Sequence, residues 1–238
     1  MLKKLNKSWL FIAIFALVGA CSVSLSAQTV KSSIENMSGW QNCAACAGSG
    51  GAGPAASLST SSGVSSPSLT GSSRVFHIAS SHAYADALWW KQLGASAATH
   101  LVYDVYFYIK TPQYAQALEF DNNQANGSHR WIFGTECNIA AGRWDVWANA
   151  SGKWTSTGIP CKMPSAFKWH HLTWEFQRVG NYVKYISLTL DGVKHYVNRS
   201  YPARASSVKE LNVAFQMDMR SNHVAYSTWL DKVSLKYW

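Results

Sequence analysis

Residues 169–198 read WHHLTWEFQRVGNYVKYISLTLDGVKHYVN, and this stretch contains the clearest structural pattern in the chain. From residue 170 to residue 177, His, Leu, Trp and Phe alternate with His, Thr, Glu and Gln. A period of two is typical of a strand that buries one face. Asp191-Gly192 separates two further β-rich runs, and both residues tolerate the positive φ of a type I′ turn. The stretch therefore predicts strands joined by a tight β-hairpin.

The same kind of pattern continues on both sides of this hairpin. Runs rich in β-branched and aromatic residues recur from Arg74 onward, and Gly, Pro or Asn turn signals separate most of them. Many short strands without a convincing amphipathic helix predict an antiparallel β-sandwich. We expect strands at 74–79, 88–92, 101–109, 115–122, 130–136, 145–148, 170–178, 182–190, 193–198, 210–219 and 227–237.

The hairpin resembles one in concanavalin A-like jelly-roll modules, where WHH begins one strand and Asp-Gly follows the next. Residues 229–237 (WLDKVSLKY) resemble the closing strand of the same modules. This superfamily includes legume-type lectins, laminin G-like domains and many glucanases. The resemblance covers residues 66–238 and implies an all-β, antiparallel two-sheet jelly roll. It indicates no subfamily, and the superfamily contains binders, hydrolases and lyases alike.

Residues 1–27 have the features of an export signal. Three lysines accompany the apolar run 9–20, which is shorter than the roughly 20 residues that span a bilayer. Residues 18–21 (VGAC) resemble a bacterial lipobox, in which Cys21 is lipidated, whereas residues 25–27 (LSA) offer a conventional cleavage site. Both alternatives predict export, to the outside, the periplasm or the cell envelope, with membrane contact only through a lipid on Cys21.

Export makes the remaining cysteines interpretable, because disulfides persist in oxidising compartments. Cys43, Cys46, Cys137 and Cys161 allow three connectivities. We expect Cys137–Cys161 to join two strand-rich segments and Cys43–Cys46 to close a small loop. A thioredoxin-like site is disfavoured because the Cys-x-x-Cys leads into a Gly-rich run, and a four-thiolate zinc site lacks a second closely spaced pair.

Residues 28–65 form a Ser-, Gly- and Ala-rich segment between the signal and the sandwich. Such a composition is typical of a linker. Trp40 and the two nearby cysteines indicate that the first half is nevertheless pinned to the folded domain. We therefore expect one β-sandwich domain at 66–238, a length that suits this fold class.

The charge balance excludes one class of partner. Removing residues 1–27 takes away three lysines and no acid, leaving 18 basic and 12 acidic side chains. The basic residues are scattered and form no stripe of the kind that follows nucleic acid. A polysaccharide or other glycan is the expected partner, and no nucleic acid is expected.

Glu119 and Asp121 are the most suggestive pair of acidic residues. They lie two residues apart on a strand, so both carboxylates project from one face. The strand resembles the Val-Glu-Phe-Asp strand of legume-type lectins, which implies a manganese or calcium site with Asp121 as a ligand, although the family's second Asp is absent here. A solvated polar cluster, a degenerate ligand or metal site, and catalysis remain the three interpretations.

The catalytic interpretation lacks a residue on this strand. In laminarinase-like hydrolases the strand reads Glu-x-Asp-x-(x)-Glu, and Asn123 and Gln124 stand where the proton donor would be. Retaining hydrolysis needs a second carboxyl about 5–5.5 Å from the first. The motifs that would indicate a polysaccharide lyase are also absent. No catalytic residue is therefore assigned.

Two further groups of residues are candidates for glycan binding. Trp144 and Trp147 project oppositely on one strand, so we expect one of them to be partly exposed and to stack on a sugar ring. Glu175, Gln216 and Asp218 lie on polar faces of two other strands. If those strands neighbour Glu119 and Asp121, one concave polar face results.

Asp231, in the closing strand, is a second metal candidate, because in some relatives this Asp binds a structural calcium with loop carbonyls. The alternative is a strand-end Asp that accepts backbone hydrogen bonds. Calcium is the cofactor that these candidate ligands favour. Together these features predict an exported, non-catalytic carbohydrate-binding module of the bacterial cell envelope. The alternatives are a polysaccharide hydrolase or lyase, and a structural envelope protein without a small ligand.

Overall fold

A computed structural model describes residues 27–44 and 54–238, and these residues form two antiparallel sheets packed face to face. Two single-turn 3-10 helices occur at Ile34–Asn36 and Pro112–Tyr114. The strands are β1 (Thr29–Lys31), β2 (Gln41–Ala44), β3 (Ser57–Val64), β4 (Ser73–Ala79), β5 (Asp86–Gly94), β6 (His100–Ile109), β7 (Ala115–Asn126), β8 (His129–Phe133), β9 (Thr135–Asn138), β10 (Arg143–Ala148), β11 (Lys153–Pro160), β12 (Lys168–Val179), β13 (Tyr182–Leu190), β14 (Val193–Pro202), β15 (Arg204–Ala205), β16 (Lys209–Met219) and β17 (Tyr226–Tyr237).

The order of the strands defines two sheets. Sheet A runs β14-β13-β12-β6-β17-β4-β3, with β1 added to β17. Sheet B runs β11-β10-β9-β7-β16-β5-β2, with β8 joining β7 and β15. The prediction of an antiparallel two-sheet jelly roll is confirmed. Strands that are distant in sequence are neighbours in both sheets, as jelly rolls require.

The β-hairpin between β13 and β14 has the predicted turn, with φ of 49° at Asp191 and 84° at Gly192. The structure also explains the WHH tripeptide. His170 Nδ1 lies 2.7 Å from Asp191 Oδ2, and the backbone N–H of His171 donates to Asp191 Oδ1 at 2.9 Å. These bonds lower the pKa of Asp191 despite partial burial. The turn of one hairpin is thus tied to the first residues of β12.

The core lies between the two sheets and is rich in aromatic residues. Trp144 and Trp174 meet there edge to face, with ring centroids 5.5 Å apart. Each fully buried side chain of this size contributes about 1.5–3 kcal/mol through lost water contact. The alternation of the sequence predicts this arrangement, because the longer strands each have one apolar face.

The N-terminal segment adds strands to both sheets. β1 and β3 extend sheet A, and β2 pairs with β5 at the edge of sheet B. Cys21, Cys46 and the signal segment lie outside the described residues, so the Cys43–Cys46 pairing and the lipidation remain predictions. Within residues 27–44 and 54–238, no helix has the length and apolar character needed to cross a membrane.

The part of sheet B formed by β8 to β11 differs from the prediction in two places. The expected strand at 130–136 is broken at Gly134 into β8 and β9. β11, a polar run with few apolar positions, was not expected and pairs with β10. The predicted Cys137–Cys161 disulfide is confirmed, with Cα atoms 5.6 Å apart. It links β9 to the end of β11 and so closes this part of the sheet.

Candidate functional site

β7 lies inside sheet B, and its odd-numbered residues project from the outer face of the sheet. Across this face, Glu119 is paired with Glu136 of β9 on one side and with Gln216 of β16 on the other. Glu136 is paired in turn with Asp145 of β10. Asp218 follows Gln216 on the same face of β16. We call this face, with its carboxylate row, the acidic face.

The carboxylates of the acidic face are close together. Oxygen atoms of Glu119, Glu136 and Asp218 all lie within 4.8 Å of one another. The Gln216 amide sits between two of them, because its Nε2 donates to Glu119 Oε1 at 2.6 Å and to Asp218 Oδ1 at 3.0 Å. Its Oε1 is buried without a hydrogen-bond partner among the described residues. An array of oxygen atoms therefore points at a small volume.

Burial and mutual repulsion make these groups weak acids. Burial, followed by repulsion from Asp218 and Asp121, raises the pKa of Glu119 well above its usual range. Burial and the charges of Asp218 and Asp145 raise the pKa of Glu136 to about 9. Burial likewise raises the pKa of Asp121 and of Asp218 to about 7, against hydrogen bonds from Thr135 and Gln216 respectively. Such a cluster holds protons, a cation or a polar ligand.

A second row on the same face is aromatic at its ends and small in the middle. Trp147 of β10 is paired with Trp154 of β11, and the rings meet edge to face at 5.2 Å. Asp121 is paired with Ala214 of β16, and Ala214 with Trp90 of β5. Trp90 and Trp154 are both partly exposed. The row therefore has small side chains in its middle and indole rings at both ends.

Gly134 makes room for the Trp147 ring on this face. A Cβ at this position would lie 2.8 Å from Trp147 Cβ, so only glycine allows the Trp147 ring to lie across the β8–β9 junction. The backbone N–H of Trp147 donates to the Gly134 carbonyl at 3.0 Å, which holds β10 against the β8–β9 junction.

A third row of the acidic face consists of amides. Asn123 is paired with Asn212, and Asn123 Nδ2 donates to Asn212 Oδ1 at 3.0 Å. Asn212 is paired with Gln92 of β5. Glu210 lies at the end of the row and accepts from Arg130 Nε at 2.6 Å. Carboxylates, amides and indoles, the groups that recognise sugar hydroxyls and sugar faces, thus lie side by side.

The structure brings together only part of the expected site. β16 does neighbour β7, so Gln216 and Asp218 lie beside Glu119 and Asp121. Glu175 does not join them, because β12 belongs to sheet A. Its carboxylate there contacts His100 and Ser187, both at 3.0 Å, and Lys194 at 3.5 Å. The expected concave face therefore lacks Glu175.

The expectation that Trp144 or Trp147 is partly exposed is wrong. The two rings project oppositely as anticipated, but Trp144 lies in the core at 1% exposure and Trp147 on the outer face at 2%. Trp154 and Gly134 pack around Trp147 and bury it. Trp154, two strands from Glu136, is instead a partly exposed ring on this face.

Glu136 and Asp145 were missed in the sequence because no local motif contains them. Glu136 approaches Glu119 through the pairing of β7 with β9, and Asp145 through the pairing of β9 with β10. The second carboxyl that β7 itself lacks is therefore supplied by β9. Among the described residues, no ion pair reaches Glu119, Glu136 or Asp218, whereas Arg143 pairs with Asp145 at 2.9 Å.

Asp231 lies within β17, at an irregularity in its pairing with β6, and is surrounded by hydrogen-bond donors. Its carboxylate accepts from Ser68 Oγ at 2.7 Å, from the Leu69 N–H at 2.6 Å and from Thr70 Oγ1 at 2.8 Å. These donors outweigh the effect of burial and lower the pKa of Asp231. Calcium needs oxygen ligands, and hydrogen-bond donors occupy both Asp231 oxygens here.

The acidic face fits a hard cation better than Asp231 does, because carboxylate and amide oxygens are the ligands that Ca²⁺ takes in proteins. We expect calcium to raise the melting temperature by roughly 5–10 °C at a concentration 100-fold above its Kd. Glu119→Gln should remove most of this rise and Asp121→Asn part of it, in thermal unfolding measured with calcium and with chelator.

Asp231→Asn is the matched control for the calcium experiment. It removes a carboxylate elsewhere in the fold, so it should lower the melting temperature yet leave the calcium-dependent rise in place. A melting temperature that is indifferent to calcium, manganese and chelator would contradict a cation site on the acidic face.

No known family model matches the sequence, and no curated protein matches it. Several solved structures share the fold. An endo-β-1,4-glucuronan lyase from the fungus Trichoderma reesei gives a TM-score of 0.52 at 10% identity, covering 75% of this chain and 86% of that chain. Arcelin-5, a lectin-like defense protein from Phaseolus vulgaris, gives 0.51 at 8% identity, covering 90% and 99%.

A glycoside hydrolase family 16 endo-glucanase from Bacteroides ovatus also gives a TM-score of 0.51 at 8% identity, covering 87% of this chain and 99% of that chain. Identities this low show a common fold and no more. The chain is thus a concanavalin A-like jelly roll in architecture.

Proposed function

We propose that this protein is an exported carbohydrate-binding module that holds a polysaccharide on the acidic face without cleaving it. The observation that carries the proposal is the juxtaposition of three rows, of carboxylates, of indoles around small residues, and of amides, on one face of sheet B. Each row supplies a different part of sugar recognition. The signal segment and the Cys137–Cys161 disulfide support export.

The middle row provides the place for a sugar ring. Gly134 lets the Trp147 ring lie against the sheet, and Trp154 beside it offers a partly exposed indole on which the apolar face of a pyranose can stack. Asp121 and Asn123 lie alongside, where a carboxylate can accept from sugar hydroxyls and an amide can both accept and donate.

The absence of cleavage is proposed on two grounds. Asn123 replaces the acid of the hydrolase strand, and Glu119 and Glu136 are each only 5% exposed. Two carboxyls this deeply buried, one of them hydrogen-bonded to the Gln216 amide, leave little room for an anomeric carbon between them.

Retaining hydrolysis is the second candidate function, and a specific observation favours it. Glu136 is the register partner of Glu119, and one carboxyl oxygen of each lies within 4.8 Å of the other, whereas retaining pairs are separated by roughly 5–5.5 Å. With a pKa of about 9, Glu136 would carry the proton that a general acid donates. In this alternative Glu119 is the nucleophile and reacts only in its ionised form, which its raised pKa disfavours.

Affinity electrophoresis in gels containing neutral plant, algal or bacterial polysaccharides tests the binding function. At least one polysaccharide should retard the protein, and Trp154→Ala should weaken that binding by about 1–3 kcal/mol through loss of the stacking ring. Phe167→Ala is the matched control, because Phe167 is an aromatic residue, 69% exposed, outside the acidic face.

The same polysaccharides distinguish the alternatives after prolonged incubation. New reducing ends or unsaturated ends that disappear in Glu119→Gln would establish an enzyme. Retardation by none of the polysaccharides would leave a structural envelope protein as the better interpretation.

A further inference from the structure

The outer face of sheet A carries a row of aromatic rings at one end. Trp169 of β12, Tyr108 of β6 and Trp229 of β17 are register partners on three adjacent strands. The ring centroids of Trp169 and Tyr108 are 5.4 Å apart, and those of Tyr108 and Trp229 are 5.7 Å apart. Since neighbouring strands are about 4.8 Å apart, the row spans about 10 Å.

A second pair of rings extends this row. His171 stacks on Tyr106 with centroids 4.1 Å apart and an interplanar angle of 3°. His171 Nε2 lies 2.8 Å from Asp104 Oδ2, which fixes the orientation of the imidazole. We call the set Tyr106, Tyr108, Trp169, His171 and Trp229 the aromatic face, and all five side chains are partly exposed. It is a continuous, preorganised surface of rings.

Two lysines border the aromatic face. Lys110 Nζ lies 4.9 Å from the Trp229 ring centroid, and Lys232 Nζ lies 5.4 Å from that of Tyr106. Both residues are exposed. Their ammonium groups are therefore positioned directly beside the rings, with long flexible stems that can follow a ligand.

Charge is distributed unequally between the two sheets. The strands of sheet A contain three acidic and nine basic residues, whereas those of sheet B contain seven acidic and six basic residues. The aromatic face thus lies on the basic side of the molecule and the acidic face on the other. A negatively charged ligand is favoured at the aromatic face and disfavoured at the acidic one.

We propose that the aromatic face binds an anionic polysaccharide built from uronic acids. The rings of Trp169, Tyr108 and Trp229 contact the apolar faces of successive sugars, and Lys110 and Lys232 pair with their carboxylates. A second copy of the chain is a poor occupant, because a symmetric contact through this face would bring the same lysines together. This site goes beyond the proposed function, which uses the opposite side of the sandwich.

Affinity electrophoresis of the mature protein in gels containing polygalacturonate tests the proposal. The polymer should retard the wild type, and Trp229→Ala should weaken binding about tenfold or more, equivalent to about 1.4 kcal/mol. Trp229→Phe keeps a ring and should retain most of the binding. The double substitution Lys110→Gln with Lys232→Gln should also weaken binding and reduce its salt dependence.

Trp154→Ala separates this site from the acidic face. It should leave retardation by polygalacturonate intact, whatever it does to a neutral polysaccharide. The proposal is overturned by no retardation of the wild type, by equal retardation of Trp229→Ala, or by loss of retardation only in acidic-face variants. Melting temperatures of all variants establish that each is folded, and sedimentation that shows a dimer lost in Trp229→Ala would assign the face to self-association instead.

Discussion

Without divalent cations, the free energy of unfolding should fall steadily as the pH rises from about 4 to about 9. The carboxyls of Asp121 and Asp218 titrate near 3.8 when unfolded and at about 7 in the folded protein, and Glu136 near 4.5 and at about 9. Between these values the folded protein keeps protons that the unfolded chain has released, so raising the pH favours unfolding.

The size of this effect follows from the shifts. One pKa unit corresponds to about 1.4 kcal/mol, so the combined loss is on the order of several kcal/mol. The groups are coupled, and their contributions therefore do not add simply. The direction is opposite to that of a salt-bridged carboxylate, whose contribution to stability is lost on acidification.

Urea unfolding at pH 5, 7 and 9 in the presence of chelator measures this dependence. Glu136→Gln keeps the shape of the side chain and removes one ionisable group, so it should flatten the profile and stabilise the protein at pH 9. Glu175→Gln is the control, because Glu175 lies on sheet A with a lowered pKa. Stability that is constant or increases between pH 5 and 9 would show that the carboxylates are compensated in some other way.

Removing the Cys137–Cys161 disulfide by double substitution to alanine should cost roughly 3 kcal/mol of unfolding free energy. The bond closes a loop of 24 residues in sequence separation and so restricts the unfolded chain. Alanine is the suitable replacement because both cysteines are buried, at 2% and 1% exposure, and a serine hydroxyl would lack a partner.

Equilibrium unfolding of the oxidised wild type, the reduced wild type and the double alanine variant measures the contribution. The last two should agree with each other and fall below the first. Removing the disulfide should also make the acidic face less stable, because β9 carries both Cys137 and Glu136. Equal stability of all three forms would mean that strand pairing alone holds β9, β10 and β11 together.

The strands could be predicted because their determinants are local. Alternation of apolar and polar residues places the strands, and Asp191-Gly192 adopts positive φ values by its own chemistry. Even so, β11 was not predicted because most of its residues are polar, and the strand at 130–136 is divided at Gly134, where a Cβ would collide with Trp147. The residue pattern within one strand does not show which side chains of a neighbouring strand pack against it.

The candidate site could be predicted only where one strand contributes it. Spacing alone places Glu119 and Asp121 on one face, since residues two apart on a strand always share one. Gln216 and Asp218 join them because β16 neighbours β7. Glu175 lies far from them because β12 belongs to the other sheet. The order of strands in a jelly roll is set by contacts between distant segments, which no single stretch specifies.

The sequence by itself therefore determined the strand periodicity, the hairpin and the polar side of β7. The tertiary structure alone decided that Glu136 opposes Glu119, that Trp147 is buried while Trp154 is accessible, and that aromatic and acidic faces lie on opposite sheets. The physical reason is the range of the interactions. Backbone preferences and side-chain alternation act over a few residues, whereas burial, pKa and the composition of a face depend on partners brought together only by folding.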